Sequence, residues 1–145
     1  MAEASKVSVR KVARYGWVPD IPDNRDFMFR KVYRIPAALP SSVDLRSKCS
    51  PVEDQGQLGS CTANALVGAL EFLILKNKKP YADMSRLFIY YNERVIEHTV
   101  NQDSGAMIRD GIKTLNKQGA CRKRSGLTTS NNLRRSPRRR ATRRL

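Results

Sequence analysis

The chain has 145 residues, and its 28 Lys and Arg against 13 Asp and Glu give a formal net charge of +15. The length fits a single domain, and 40% hydrophobic residues exclude a wholly disordered or collagen-like chain. Such a charge is typical of nucleic-acid-binding proteins. However, ten of the basic residues lie in residues 122–145, which contain no acid, so residues 1–121 carry only +5. The charge therefore indicates a boundary in the chain more clearly than a function.

The N-terminal third of the chain is dense in Pro and Asp, and these residues separate short apolar runs. This punctuation predicts an extended arm with turns over residues 1–38. Three acids, Asp20, Asp23 and Asp26, have the spacing of a calcium loop but lack its glycine and its terminal glutamate. We therefore expect a solvated turn at these residues and no metal site.

No part of the sequence indicates a membrane or a secretory route. The longest apolar stretch, residues 63–75, is interrupted by polar residues and is shorter than a bilayer requires. The first residues lack the apolar region of a secretory signal. We expect a cytoplasmic protein without a membrane partner.

Three helices are predicted after the arm, at about residues 61–76, 85–98 and 106–117. Ser60 and Ser85 are suitable N-caps for the first two, and Gly119 is a suitable end for the third. The first helix has apolar residues around most of its circumference and should be buried in the middle of a lobe. The other two each carry one apolar stripe, formed by Leu87, Tyr91 and Val95 and by Ile108, Ile112 and Leu115.

The segment around Cys61 is the most informative part of the sequence. A cysteine at the first turn of a helix faces the positive end of the dipole and free backbone N–H groups, which favour thiolate over thiol. The Cys61 N–H and the side-chain amide of Gln55, brought back by the intervening glycines, have the donors that an oxyanion hole needs. The alternative is that Cys61 is a small buried residue at a helix start and Gln55 an ordinary turn residue.

Residues 54–65, DQGQLGSCTANA, resemble the nucleophile segment of the papain-like cysteine peptidases. Residues 39–46, LPSSVDLR, resemble the start of the mature domain in that family. Residues 85–94 and 103–112 resemble the second and third helices of its helical lobe, particularly in bacterial and archaeal members. The resemblance covers roughly residues 39–121. It implies the α+β papain-like fold, of which this chain holds mainly the α-helical lobe, with an extended N-terminal arm and a disordered C-terminal tail.

The resemblance also implies roles for individual residues. Cys61 falls on the nucleophile and Gln55 on the oxyanion-hole amide. Gly105 and Ala106 fall on the edge that pairs with the substrate backbone, and Met107 falls on a wall of the pocket for an apolar substrate side chain. The implied function is hydrolysis of peptides or proteins by a thiol nucleophile.

Two residues beside the nucleophile depart from the family pattern. Leu58 stands where many members carry a disulfide cysteine, and Thr62 stands where they carry an aromatic residue. Loss of that disulfide fits a reducing compartment. The Thr62 side chain is smaller than an aromatic one and leaves the mouth of the site less covered.

The family takes its catalytic histidine and asparagine from a second, β-rich lobe, and we expect that this chain is truncated before it. The one histidine, His98, follows the second helix, where a helix C-cap is the favoured interpretation. We therefore expect a peptidase that is inactive alone. The face that should meet the second lobe would be an apolar patch, open to a partner chain that supplies that lobe. The arm is then either a remnant propeptide or a segment that clasps the lobe.

Residues 122–145 are predicted to be disordered, because they are rich in Arg, Ser and Thr and contain few large apolar residues. Two explanations remain open for this tail. It is the product of a shifted reading frame, which the sharp loss of resemblance favours, or it is a basic arm that binds nucleic acid on a dead peptidase lobe.

Cys49 and Cys121 complete the three cysteines of the chain. A disulfide between them is disfavoured in a reducing compartment. With one histidine and no Cys-x-x-Cys motif, a zinc site lacks ligands. We expect neither a metal nor a cofactor.

Overall fold

The computed structural model describes residues 15–34 and 38–123. Its elements are, in chain order, β1 (Trp17–Val18), α1 (Phe29–Val32), a 3-10 helix (Arg46–Lys48), α2 (Cys61–Lys76), α3 (Arg86–Ile96), β2 (Ala106–Met107) and α4 (Ile108–Gln118). Within this part of the chain no helix has both the length and the apolar character needed to cross a membrane. Most of the predicted tail lies outside the described residues.

Helices α2, α3 and α4 pack against one another and form the lobe. Strands β1 and β2 form a two-stranded parallel sheet, with Trp17 opposite Ala106 and Val18 opposite Met107. The buried apolar side chains come from α2, α3 and β2; they are Ala63, Val67, Phe88, Ile89, Tyr90 and Ala106. This small core fixes the start of α2 and strand β2 on the same body.

The predicted helices are all present, and local capping chemistry explains where they begin and end. The Ser85 hydroxyl accepts the Phe88 N–H at 3.2 Å, which starts α3. Gly119, with φ of +73°, ends α4. Ser60 holds the N-cap position of α2, but its hydroxyl does not cap a backbone N–H there.

The prediction that α2 is buried in the middle of the lobe is wrong. Its buried side chains include Ala63, Val67 and Glu71, which are spaced four residues apart and so share one face. Because α3 and α4 cover only that side, a second stripe remains exposed. This stripe consists of Ala65, Ala69 and Leu73, the last 51% exposed.

The buried faces of α3 and α4 also differ from the predicted apolar stripes. Helix α3 buries Glu93 and Arg94 and leaves Val95 exposed, whereas α4 buries Asp110 and leaves Ile112 53% exposed. Charged groups can be buried when partners satisfy them. The Arg94 guanidinium, for example, donates to the carbonyls of residues 100 and 102 at 3.2 and 3.0 Å.

The first two residues of the predicted tail pack on the lobe. Arg122 forms an antiparallel bridge with Met84, and the Lys123 N–H donates to the Asp83 carbonyl at 2.8 Å. The Lys123 ammonium lies 2.8 Å from a Glu53 carboxylate oxygen. Residues 124–145 lie outside the described residues, so their predicted disorder stays a prediction.

Candidate active site

Cys61 is the first residue of α2 and follows a tight loop, residues 55–60, which we call the nucleophile loop. Its thiol is free and half-buried. The first backbone N–H groups of a helix have no intrahelical carbonyl partner, and they carry the positive end of the helix dipole. The thiol therefore lies where an oxyanion formed on an attacked carbonyl can be bound by backbone donors.

The Gln55 side chain is held inside the nucleophile loop. Its amide nitrogen donates to the Leu58 carbonyl at 2.7 Å. Gly56 has a φ of +62°, which lets the chain reverse direction, and its N–H donates to an Asp54 carboxylate oxygen at 2.8 Å. A side-chain amide has two N–H groups, so one remains for a ligand. Gln55 and Cys61 thus belong to one loop, and the catalytic roles assigned to them stay predictions.

Residues 105–107, which we call the substrate edge, lie beside this loop. Ala106 is fully buried, and its N–H donates to the Gly16 carbonyl at 2.7 Å. The Met107 N–H donates to a Glu97 carboxylate oxygen at 2.7 Å. The substrate edge is therefore already paired, and its partner is the N-terminal arm.

The arm passes between the nucleophile loop and the substrate edge at Gly16. A Cβ atom built on Gly16 would lie 1.8 Å from the Gly59 carbonyl oxygen, and one built on Gly105 would lie 1.9 Å from the Gly16 carbonyl oxygen. Only glycine permits such close approach of three backbones. The described part of the arm therefore clasps the lobe.

Acidic residues of the arm hold it to α4. Asp20 accepts the backbone N–H of Arg109 at 2.9 Å, and Asp26 pairs with the Arg109 guanidinium at 2.6 Å. The side-chain hydrogen bond from Arg109 lowers the pKa of Asp26, and that from Arg25 lowers the pKa of Asp23 to about 2. These acids therefore lie at an exposed turn, as expected, and each of them also engages an arginine.

Asp103 and Tyr90 link the nucleophile loop to the substrate edge, and the sequence analysis missed both. The Gly59 N–H lies 3.0 Å from each carboxylate oxygen of Asp103. The Tyr90 hydroxyl donates to Asp103 and accepts the Gly105 N–H at 3.2 Å. The only signal in the sequence was an acid two residues before a glycine, which is too common to be diagnostic.

A buried acid also lies against the first turn of α2. The Thr62 hydroxyl donates to Glu93 Oε2 at 2.9 Å, and among the described residues Glu93 Oε1 has no hydrogen-bond partner. Desolvation raises the pKa of Glu93 to about 7, with Glu97 and Asp110 adding to the shift. The residue after the predicted nucleophile is thus hydrogen-bonded to a group that titrates near neutrality.

The other candidate residues lie apart from this arrangement. His98 follows the end of α3 with an exposed side chain and a φ of +59°. No hydrogen bond joins it to Cys61 in the described part of the chain. Cys49 is exposed and donates to the Leu45 carbonyl at 3.3 Å, and the Cys121 carbonyl accepts the Ser85 N–H. Neither cysteine is part of a disulfide, so the Cys49–Cys121 disulfide is not formed.

The chain is similar to two proteins that carry peptidase names. It is 40% identical over 124 aligned residues to an uncharacterized peptidase C1-like protein of Acanthamoeba polyphaga mimivirus, a match that covers 74% of this chain and 40% of the viral protein. It also superposes on the crystal structure of Xylellain, a cysteine protease from Xylella fastidiosa, with a TM-score of 0.65 and 52% sequence identity. That match covers 80% of this chain and 43% of Xylellain. By these two coverages the chain spans less than half the length of each relative. No family model matches the chain.

Proposed function

Because this chain belongs to the papain-like cysteine peptidase family, as the helical lobe of its α+β fold, we propose that Cys61 is the nucleophile of a peptide-bond hydrolase. The observation that carries the proposal is the position of a free thiol at the first residue of α2, directly after the Gln55-containing loop. The substrates are peptides or proteins, and the reaction needs no metal or cofactor.

The proposed chemistry uses the donors around Cys61. The sulfur attacks the carbonyl carbon of the scissile peptide, and the oxygen becomes an oxyanion that accepts hydrogen bonds from the Cys61 N–H and the Gln55 amide. Collapse of this intermediate breaks the C–N bond and leaves a thioester. Water then hydrolyses the thioester and regenerates the thiol.

The leaving amine needs a proton, and we propose that a complementing lobe supplies its donor. These 145 residues contain one histidine, His98, and its exposed side chain follows the end of α3. The apolar stripe of Ala65, Ala69 and Leu73 on α2 offers a surface on which a complementing lobe would dock. Loss of a general base typically reduces turnover by about six orders of magnitude. We therefore expect the chain to be inactive alone.

Selective labelling tests the assignment of the nucleophile. A peptidyl chloromethyl ketone, which binds like a substrate and alkylates thiols, should modify Cys61 faster than Cys49. Iodoacetamide, which has no peptide portion, should favour the exposed Cys49 instead. A few backbone hydrogen bonds to the reagent correspond to a preference of about tenfold or more. Mass spectrometry of the modified chain measures both rates.

Substitutions of the three cysteines provide the controls for this experiment. Replacement of Cys61 by serine should abolish the peptide-dependent labelling, whereas Cys49→Ser and Cys121→Ser should leave it unchanged. Equal relative rates for the two reagents at Cys61 would exclude a substrate-binding nucleophile there. Turnover of a fluorogenic peptide by the isolated chain, lost in Cys61→Ser, would contradict the proposed inactivity.

The position of the arm leads to a second prediction. Because β1 occupies the substrate edge, substrate and arm should compete for the Ala106 N–H. Replacement of Gly16 by alanine places a methyl group against the Gly59 carbonyl and should displace the arm. The rate of peptidyl labelling at Cys61 should then rise about tenfold, which corresponds to losing one or two competing hydrogen bonds.

Gly68→Ala is the matched control for this substitution, because its added Cβ meets no atom within 4 Å. It should leave the labelling rate unchanged. If Gly16→Ala labels no faster than Gly68→Ala, the arm does not compete with the substrate.

Nucleic-acid binding by residues 122–145 remains the alternative. Lys123 is neutralised by Glu53 and lies 3.6 Å from an Asp83 carboxylate oxygen, so it contributes little free charge. The reading-frame explanation of the tail stays a prediction as well. A cytoplasmic location also belongs to the proposal, and a reducing compartment fits the three cysteines, none of which is part of a disulfide.

A further inference from the structure

We propose that Asp103 and Tyr90 are positioning residues that hold the nucleophile loop against the substrate edge, in place of a covalent link. The inference rests on the proposed function of Cys61, because a substrate of Cys61 would bind between these two segments. It adds two residues that contact neither the thiol nor a reacting atom.

A continuous chain of hydrogen bonds carries this inference. The Gly59 N–H donates to both carboxylate oxygens of Asp103, the Tyr90 hydroxyl donates to the same carboxylate, and the Gly105 N–H donates to that hydroxyl. Gly59 lies two residues before Cys61, and Gly105 begins the substrate edge. One carboxylate and one phenol therefore connect the two segments between which a peptide would bind.

The Tyr90 hydroxyl is fixed from both sides. Its ring is fully buried in the core of α3, and the Arg94 guanidinium carbon lies 4.2 Å from the ring centroid. Desolvation, together with the adjacent Asp103, raises the pKa of Tyr90. The hydroxyl thus stays protonated and remains a donor to the carboxylate. A phenylalanine would fill the same volume but would break the chain of hydrogen bonds at its centre.

The same place in the fold lacks a covalent link. Leu58, next to Gly59, falls by resemblance where many members of the family carry a disulfide cysteine, and none of the three cysteines of this chain is part of a disulfide. Hydrogen bonds to an ionised carboxylate are stronger than those between neutral groups. The carboxylate of Asp103 can therefore restrain the loop without an oxidising environment.

The experiment compares Tyr90→Phe, Asp103→Ala and Asp103→Asn with Tyr91→Phe in the full chain. Tyr91 is the neighbouring tyrosine and takes no part in the network described here, so its variant controls for loss of a hydroxyl. Amide hydrogen exchange, followed by NMR, reports on Gly59 and Gly105 without any need for activity. The ratio of peptidyl chloromethyl ketone to iodoacetamide labelling at Cys61 reports on the placement of the substrate edge.

We expect exchange at Gly105 in Tyr90→Phe, and at Gly59 in Asp103→Ala, to accelerate about tenfold. The labelling ratio should fall about fivefold in both variants, while the iodoacetamide rate stays constant. Asp103→Asn should recover part of the loss, because its amide oxygen still accepts the Gly59 N–H. Tyr91→Phe should match the parent chain.

If amide exchange at Gly105 in Tyr90→Phe is as slow as in the parent chain, the hydrogen-bonded link is overturned, whatever the labelling ratio shows. Accelerated exchange with an unchanged labelling ratio would overturn the positioning role. If the parent chain itself has no peptidyl preference at Cys61, the proposed function fails, and unaltered exchange in the variants would separately overturn the hydrogen-bonded link.

Discussion

Replacing Glu71 by alanine is expected to lower the free energy of unfolding by about 3 to 5 kcal/mol, as is typical when one partner of a buried ion pair is removed. Glu71 is fully buried in α2, and its carboxylate accepts the Arg86 guanidinium and the Met84 N–H, each at 2.9 Å. The variant leaves the Arg86 charge, whose side chain is 11% exposed, beside a cavity. Urea denaturation followed by circular dichroism measures the loss.

Two further variants separate the charge from the packing. Glu71→Leu combined with Arg86→Met should recover most of the lost stability, because a well-packed apolar pair often replaces a buried ion pair at little cost. Asp44→Ala is the surface control: it breaks a pair with Arg46 in which the arginine side chain is 91% exposed, and it should not shift the urea midpoint. A Glu71→Ala midpoint equal to that of Asp44→Ala would refute the argument.

This ion pair illustrates what the sequence could and could not predict about the fold. The helix boundaries were predictable because their signals are local: Ser85 caps α3 three residues ahead, and Gly119 ends α4 by its own backbone conformation. The buried faces of the helices were not predictable. Apolar spacing favoured Leu87, Tyr91 and Val95 on α3, whereas the buried residues of this helix include the charged Glu93 and Arg94. Their burial is favourable only because partners on other segments lie nearby, and periodicity carries no information about those partners.

The candidate site likewise has one part that could be predicted from the sequence and one part that could not. The nucleophile loop was recognisable because Gln55 and Cys61 lie six residues apart in one segment. The family and fold class inferred from that segment are confirmed by the relatives. The link from Asp103 to Gly59 spans 44 residues, and that from Asp20 to Arg109 spans 89. Such contacts depend on how α3 and the arm pack, so neither was visible as a motif.

The second large effect is a pH-dependent loss of stability at Glu93. A glutamate titrates at pH 4.5 when unperturbed, and desolvation raises the pKa of buried Glu93 to about 7. Glu97 and Asp110 act in the same direction, while the Thr62 hydrogen bond and Arg94 oppose it. Between these two pH values the folded chain binds more protons than the unfolded chain. Stability is therefore expected to fall as the pH rises from about 4.5 through 7.

Glu93→Gln removes this titration. Between about pH 4.5 and 8 the parent chain should lose about 3 kcal/mol more stability than the variant, because each unit of pKa shift corresponds to about 1.4 kcal/mol. Unfolding free energies of both chains, measured by urea denaturation across this range, give the difference.

Thr62→Val supplies an independent check, since it removes the hydrogen bond that stabilises the ionised carboxylate. Its stability loss should extend to higher pH than that of the parent chain. Parallel pH profiles for Glu93→Gln and the parent would contradict the expected titration. If the titration is present, the first turn of α2 is held by a carboxylate whose charge changes near neutral pH, because Thr62 directly follows Cys61.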